Sequence, residues 1–203
     1  MKLKQLVGLI VLCVVSFTVT SQNLSNGSIE QTSKKWKGHT FTSANTLSEN
    51  IAQSDKFSIL NNILENEKVR KVTENGEEVT IFVFLDSAFD NLEPIERKSI
   101  LAGNSASLRA MLMYYIIPGH FDSYELAKKS GKGIVYLNTI ADKRLGFKAV
   151  NGRLNLVDTF NNTSEVLHTN YPHKNGIFHI VDGLVFPDNN EKVSEKKNPK
   201  KKG

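Results

Sequence analysis

His179 and Asp182 are the two residues of this 203-residue chain best placed to do proton chemistry. They lie three positions apart in Asn175-Gly-Ile-Phe-His-Ile-Val-Asp-Gly-Leu-Val-Phe-Pro187. A histidine beside a carboxylate in a pocket can act as a tuned acid or base, in a hydrolase or in a carrier of a small ligand. The neighbours argue otherwise. Ile177, Phe178, Ile180 and Val181 surround His179, and a strand with apolar residues on both faces is covered on both. The sequence therefore favours a buried imidazole whose nitrogens bond backbone or hydroxyl groups. His39, His120, His168 and His173 share no metal-ligand spacing, and the single cysteine, Cys13, is remote from them in sequence. Gly103-Asn-Ser105-Ala-Ser107 lacks the second glycine of a nucleophile elbow, and no glycine-rich phosphate loop occurs. No catalytic residue, cofactor site or metal site is expected, and the chain reads as a non-enzyme. Tyr114 and Tyr115 are the aromatic pair most suited to partner recognition, although one ring in the core and one half-exposed would fit the pattern as well.

The elements around these residues are legible in part. Asn175-Gly176 and Asp182-Gly183 read as turns that supply positive φ, so the strand between them is short and is expected to lie at the centre of the sheet. Val79 to Phe84 reads as a second buried strand. Thr46-Leu-Ser-Glu49 is a capping box that starts a helix with Leu47 and Ile51 inward. Asp55 reads as the cap of a helix carrying Phe57, Leu60 and Leu64. Val69 and Val72 suggest a third helical piece. Asp86 reads as the cap of a turn holding Ala88, Phe89 and Leu92. Pro94 opens a helix that Gly103 ends, and Asn104 caps another with Leu108, Met111, Leu112 and Tyr115 on one face. Asp122-Ser-Tyr-Glu125 is a further capping box, with Gly131 as the stop. Asn151-Gly152 predicts a two-residue hairpin that pairs Phe147 with Leu156 and Ala149 with Leu154. Helices early and strands late give an α+β class.

Lys2 and Lys4 precede an apolar run from Leu6 to Val19, which is too short to span a membrane and has the regions of a secretory signal. Val19 and Ser21 suit cleavage after residue 21, and Leu12 before Cys13 is too large for a lipoprotein signal. Residues 22–41 read as a linker and docking segment, 42–187 as the domain, and 188–203 as a lysine-rich, unstructured tail. The formal charge of +5 comes from the ends: the signal carries +2 and residues 191–203 carry +4, leaving −1 for residues 22–190. Such a balance gives no footprint for nucleic acid. Four glycosylation sequons begin at Asn23, Asn26, Asn161 and Asn162.

Three stretches together resemble the fasciclin domain family. Thr80-Ile-Phe-Val-Phe-Leu-Asp-Ser-Ala-Phe89 is similar to its first signature, with Thr80, Phe82, Asp86, Ala88 and Phe89 matching and Phe84-Leu85 in place of Pro-Thr. Leu112-Met-Tyr-Tyr-Ile-Ile-Pro-Gly119 is similar to its central segment, with Tyr115 where the family usually has histidine. Asn175, Gly176, His179 and Asp182 match the second signature. The resemblance covers residues 42–187 and implies a compact sandwich or wedge of strands with helices packed along it. It also implies secretion, to the periplasm, the cell surface or the matrix, and looks most like single-domain bacterial members. It implies non-enzymatic adhesion to a cell-surface or matrix protein or polysaccharide; a structural place in an envelope complex is an alternative reading. The central segment makes Tyr114, Tyr115, Ile116 and Ile117 the candidate binding residues. Tyr115 in place of histidine means that the receptor binding known for that segment is not carried over.

Overall fold

The computed structural model describes residues 31–102 and 105–187, and its first element is a hairpin. Ser33–Trp36 (β1) and His39–Thr42 (β2) pair antiparallel across Lys37-Gly38, both at positive φ. Trp36 and Phe41 are buried, so this segment docks as expected. Residues 33–35 are not linker, however. Their lysines hide a strand whose inward residue is Trp36.

Leu47–Ile51 (α1) starts at the expected box, in which Thr46 accepts from the Glu49 N–H and the Glu49 carboxylate accepts from the Thr46 N–H. Ser54, rather than Asp55, caps the 3₁₀ turn that leads into Ser58–Leu64 (α2). Glu67–Thr73 (α3) follows, then Val79–Phe84 (β3), in which every residue is buried. A 3₁₀ turn over Asp86–Asn91 leads to Pro94–Ala102 (α4) and Ser105–Tyr114 (α5). The expected stop at Gly103 and cap at Asn104 lie outside the described residues.

Ile116–Pro118 (β4), Ser123–Ser130 (α6), Val135–Asn138 (β5), Arg144–Val150 (β6), Arg153–Val157 (β7), Thr163–His173 (β8) and Gly176–Val181 (β9) complete the chain. The β6–β7 hairpin has the register that its Asn-Gly turn predicts, with Phe147 opposite Leu156 and Ala149 opposite Leu154. Asp122 caps α6 and Gly131 ends it at positive φ.

Seven strands form one sheet in the order β4-β3-β9-β8-β7-β6-β5. Only the β3–β9 pair is parallel. The Ile140 N–H donates to the Ile116 carbonyl at 2.9 Å, so the two ends of the sheet come close and it nearly closes. The class is α+β, as the sequence indicates. The last strand is interior but not central: β8, with 11 residues, holds the middle position. Gly183 does not take positive φ, whereas Gly176 does, at 136°. The main core joins Phe41, Phe57, Phe82, Phe84, Phe89, Phe147 and Phe178. No helix among the described residues is long and apolar enough to cross a membrane.

Candidate functional site

The signature residues bond to or pack against other segments of the fold. The Thr80 hydroxyl donates to the Gly119 carbonyl (2.7 Å) and accepts from the Phe121 N–H (2.8 Å), fastening β3 to the chain after β4. Phe82 stacks on His179 at 5.1 Å, and Phe89 meets Phe84 edge-on, with Ala88 buried beside it. Asp86 does not cap its own turn. Its carboxylate accepts from the Ser58 and Ile59 N–H groups, both at 2.9 Å, and so caps α2 from 28 positions away for Ser58. Asn175 receives the Val79 N–H on its carbonyl and donates its amide to Gly76. A Cβ on Gly176 would lie 2.1 Å from the Val79 carbonyl oxygen, so the parallel β3–β9 contact requires a glycine there.

His179 and Asp182 do not form a pair. His179 Nδ1 accepts from the Asn170 N–H at 3.3 Å, which leaves Nε2–H to donate to the Phe121 carbonyl at 3.1 Å. Both nitrogens are thereby committed in a neutral ring, and burial pushes its pKa down to about 4. Asp182 instead accepts from the Glu165 N–H at 3.0 Å.

Tyr114, Tyr115, Ile116 and Ile117 are all fully buried, which corrects their reading as a recognition surface. They connect α5 to β4 inside the core, where aromatic bulk serves packing. The Tyr115 hydroxyl donates to the Val185 carbonyl (2.9 Å) and accepts from the Val185 N–H (2.7 Å). Burial raises the Tyr115 pKa well above its ordinary value, so the phenol stays protonated. Asp158, also buried, accepts from Phe160, Asn162 and Phe186 N–H groups and from the Asn162 amide. Tyr115→Phe should cost about 2 kcal/mol, because two backbone groups of Val185 lose a buried partner. A lower urea midpoint at unchanged slope is the expected reading.

An exposed groove lies elsewhere. β7 pairs with β8 only at Asn155–Glu165, Leu156–Ser164 and Val157–Thr163. Beyond Glu165 the strands part, and a groove of ≈ 600 Å³ opens between them and α6. On its other side β8 shifts register against β9 twice, around Leu167 and again before Tyr171, with Asn170 at φ 59°. Such bulges re-aim side chains. Tyr124 on α6 is 73 % exposed and Leu167 on β8 is 40 % exposed, and both line the groove with His168, Thr169 and Arg153. Sequence reasoning missed this site. The phase of α6 around buried Leu126 places Tyr124 outward, but nothing local marks the bulges that expose Leu167. No cluster of metal-ligating side chains occurs among the described residues.

Comparison with known proteins settles what kind of domain carries this groove. A family model described as the fasciclin domain matches residues 55–187. The chain belongs to the fasciclin domain family. Human periostin is 27 % identical over 143 residues, which is 70 % of this chain and 16 % of periostin. The fasciclin chain thus spans about a sixth of that relative's length. A solved domain pair from the insect cell adhesion molecule fasciclin I aligns with a TM-score of 0.60 at 18 % identity. That alignment covers 70 % of this chain and 51 % of the other, and it carries the fold alone. The fasciclin signatures here act by fastening β3, β9 and α2 to one another.

Proposed function

We propose that this fasciclin domain is a non-catalytic adhesion module, exported by its N-terminal segment, which binds an extracellular protein or polysaccharide through the groove between α6, β7 and β8. The observation that carries the reading is the parting of β7 and β8 beside exposed Tyr124 and Leu167. An exposed aromatic and an aliphatic side chain flanking an open strand edge offer apolar contact and backbone hydrogen bonds to one partner. The absence of chemistry in the reading rests on His179 and Asp182, whose polar atoms are engaged with separate backbone groups.

The test is adhesion to surfaces coated with the purified protein. Cells or matrix material from the source organism should bind the wild type. The Tyr124→Ser/Leu167→Ser variant, altered only at exposed positions, should fold normally and bind at least fivefold less. Ile95→Ser, on exposed α4, should bind as the wild type does. Equal binding by the wild type and the double variant would remove the groove from the reading.

A further inference from the structure

Lys34, Lys35 and Lys37 fall within four residues of the β1–β2 hairpin, and two histidine rings gather with the hairpin around one indole. Trp36 is 3 % exposed and packs inward on Phe57 at 5.2 Å. Lys37 Nζ lies 5.1 Å from its ring centroid. His168 from β8 meets the same ring edge-on at 6.2 Å, and His39 lies at 6.4 Å. Lys34 is held as well: its ammonium donates to the Thr169 carbonyl at 2.5 Å and sits 4.8 Å from the centre of the Tyr171 ring. None of the ion pairs among the described residues engages Lys34, Lys35 or Lys37. The field of the cluster is felt at His168, whose pKa is lowered by burial and then by Lys37 and Lys34.

Lysines on an edge strand also discourage strand pairing between molecules. That role needs no fixed side chain, yet Lys34 is fixed on Thr169 and Tyr171, and two histidines from other positions join the group. The cluster is continuous with the groove, because His168 and Thr169 line it. Trp36 and Tyr171 are buried, so no aromatic ring of the cluster is free to enter a bilayer. A flat membrane surface also cannot follow a groove. An extended polymer can, and the groove offers the Ser123 hydroxyl and the Tyr124 ring for sugar hydroxyls and sugar faces.

We infer that the fasciclin domain binds an anionic polysaccharide, bearing sulfate or carboxylate groups, that lies in the α6–β7–β8 groove and places its charges against Lys34, Lys37 and His168. The inference rests on the proposed adhesive role of the groove and names the partner's chemistry. Charge-assisted contacts of this kind weaken as salt screens them.

The experiment measures binding of the full chain to a heparin hexasaccharide by calorimetry, at low and high salt. Neutral dextran and phosphatidylserine vesicles serve as alternative probes. Lys37→Gln should weaken hexasaccharide binding severalfold, and Lys34→Gln/Lys37→Gln, altered only at exposed positions, at least tenfold. The same loss should appear in a full-length background in which the six lysines of residues 191–203 are glutamine. The His168 pKa, followed by NMR, should rise when the hexasaccharide binds. Three results would each overturn the inference: no hexasaccharide binding, loss only in the tail-lysine background, or hairpin-dependent binding to vesicles but not to the hexasaccharide. If the lysine variants bind the hexasaccharide like wild type while Tyr124→Ser/Leu167→Ser loses adhesion, the polysaccharide inference falls and the adhesive reading stands.

Discussion

Lowering the pH from 7 to 4.5 should remove about 5 kcal/mol of folding stability through two buried histidines. His179 and His173 are both held near a pKa of about 4, chiefly by burial. In the unfolded chain each returns to about 6.5. As the pH falls below 6.5 the unfolded state takes up protons first, so stability is lost between 6.5 and 4 and the loss levels off below 4. Each ring contributes about 2–3 kcal/mol at pH 4.5, a large share of a total of roughly 5–15 kcal/mol. Geometry supports the direction. A second proton on His179 would break the Asn170 bond to Nδ1. His173 Nδ1 accepts from the Asn175 N–H at 3.4 Å, and its buried Nε2 has no hydrogen-bond partner among the described residues. Urea unfolding at the two pH values should show the drop, and His179→Gln should shrink it by about half. An undiminished drop in that variant would mean that His179 is not one of the groups responsible.

Gly176→Ala should cost roughly 4 kcal/mol or more, at the upper end of single-residue effects. The new methyl group would meet the Val79 carbonyl oxygen at 2.1 Å, and the residue sits at φ 136°, where an L side chain is strained in any case. Relief requires β3 to move from β9, and that parallel pair runs from Val79–Gly176 to Phe84–Val181 through the middle of the core. Gly152→Ala supplies the control. It also sits at positive φ, but a Cβ there meets nothing within 4 Å. The two variants should differ by several kcal/mol in urea unfolding; equal costs would assign the effect to φ alone.

What the sequence reveals follows the range of the interactions involved. The β6–β7 hairpin is legible because its turn and its alternation agree within ten residues. The α1 capping box and the Gly176–Val181 strand are legible for the same reason. Asp86 looks like a local cap because it precedes a helical turn, yet its partners are Ser58 and Ile59. A contact across that distance leaves no periodic trace. β1 is obscured because three of its four residues, Ser33, Lys34 and Lys35 among them, are exposed and polar, which is also the composition of a linker. Tyr114 and Tyr115 resemble recognition residues by type, but their position where α5 turns into β4 puts both rings inside. The groove escapes the sequence altogether, since it exists only where β7 and β8 part.

The Val185–Phe186 clasp bears on what happens when the domain is under tension. A load drawn through the residues after Pro187 reaches Phe186 and Val185 before it reaches β9. There it meets side chains from two other parts of the sheet: Asp158, just beyond β7, and Tyr115, at the entry to β4. β9 is therefore not peeled from β8 and β3 one hydrogen bond at a time. The pull from that end is first shared across the sheet, and the clasp must break before β9 begins to unzip.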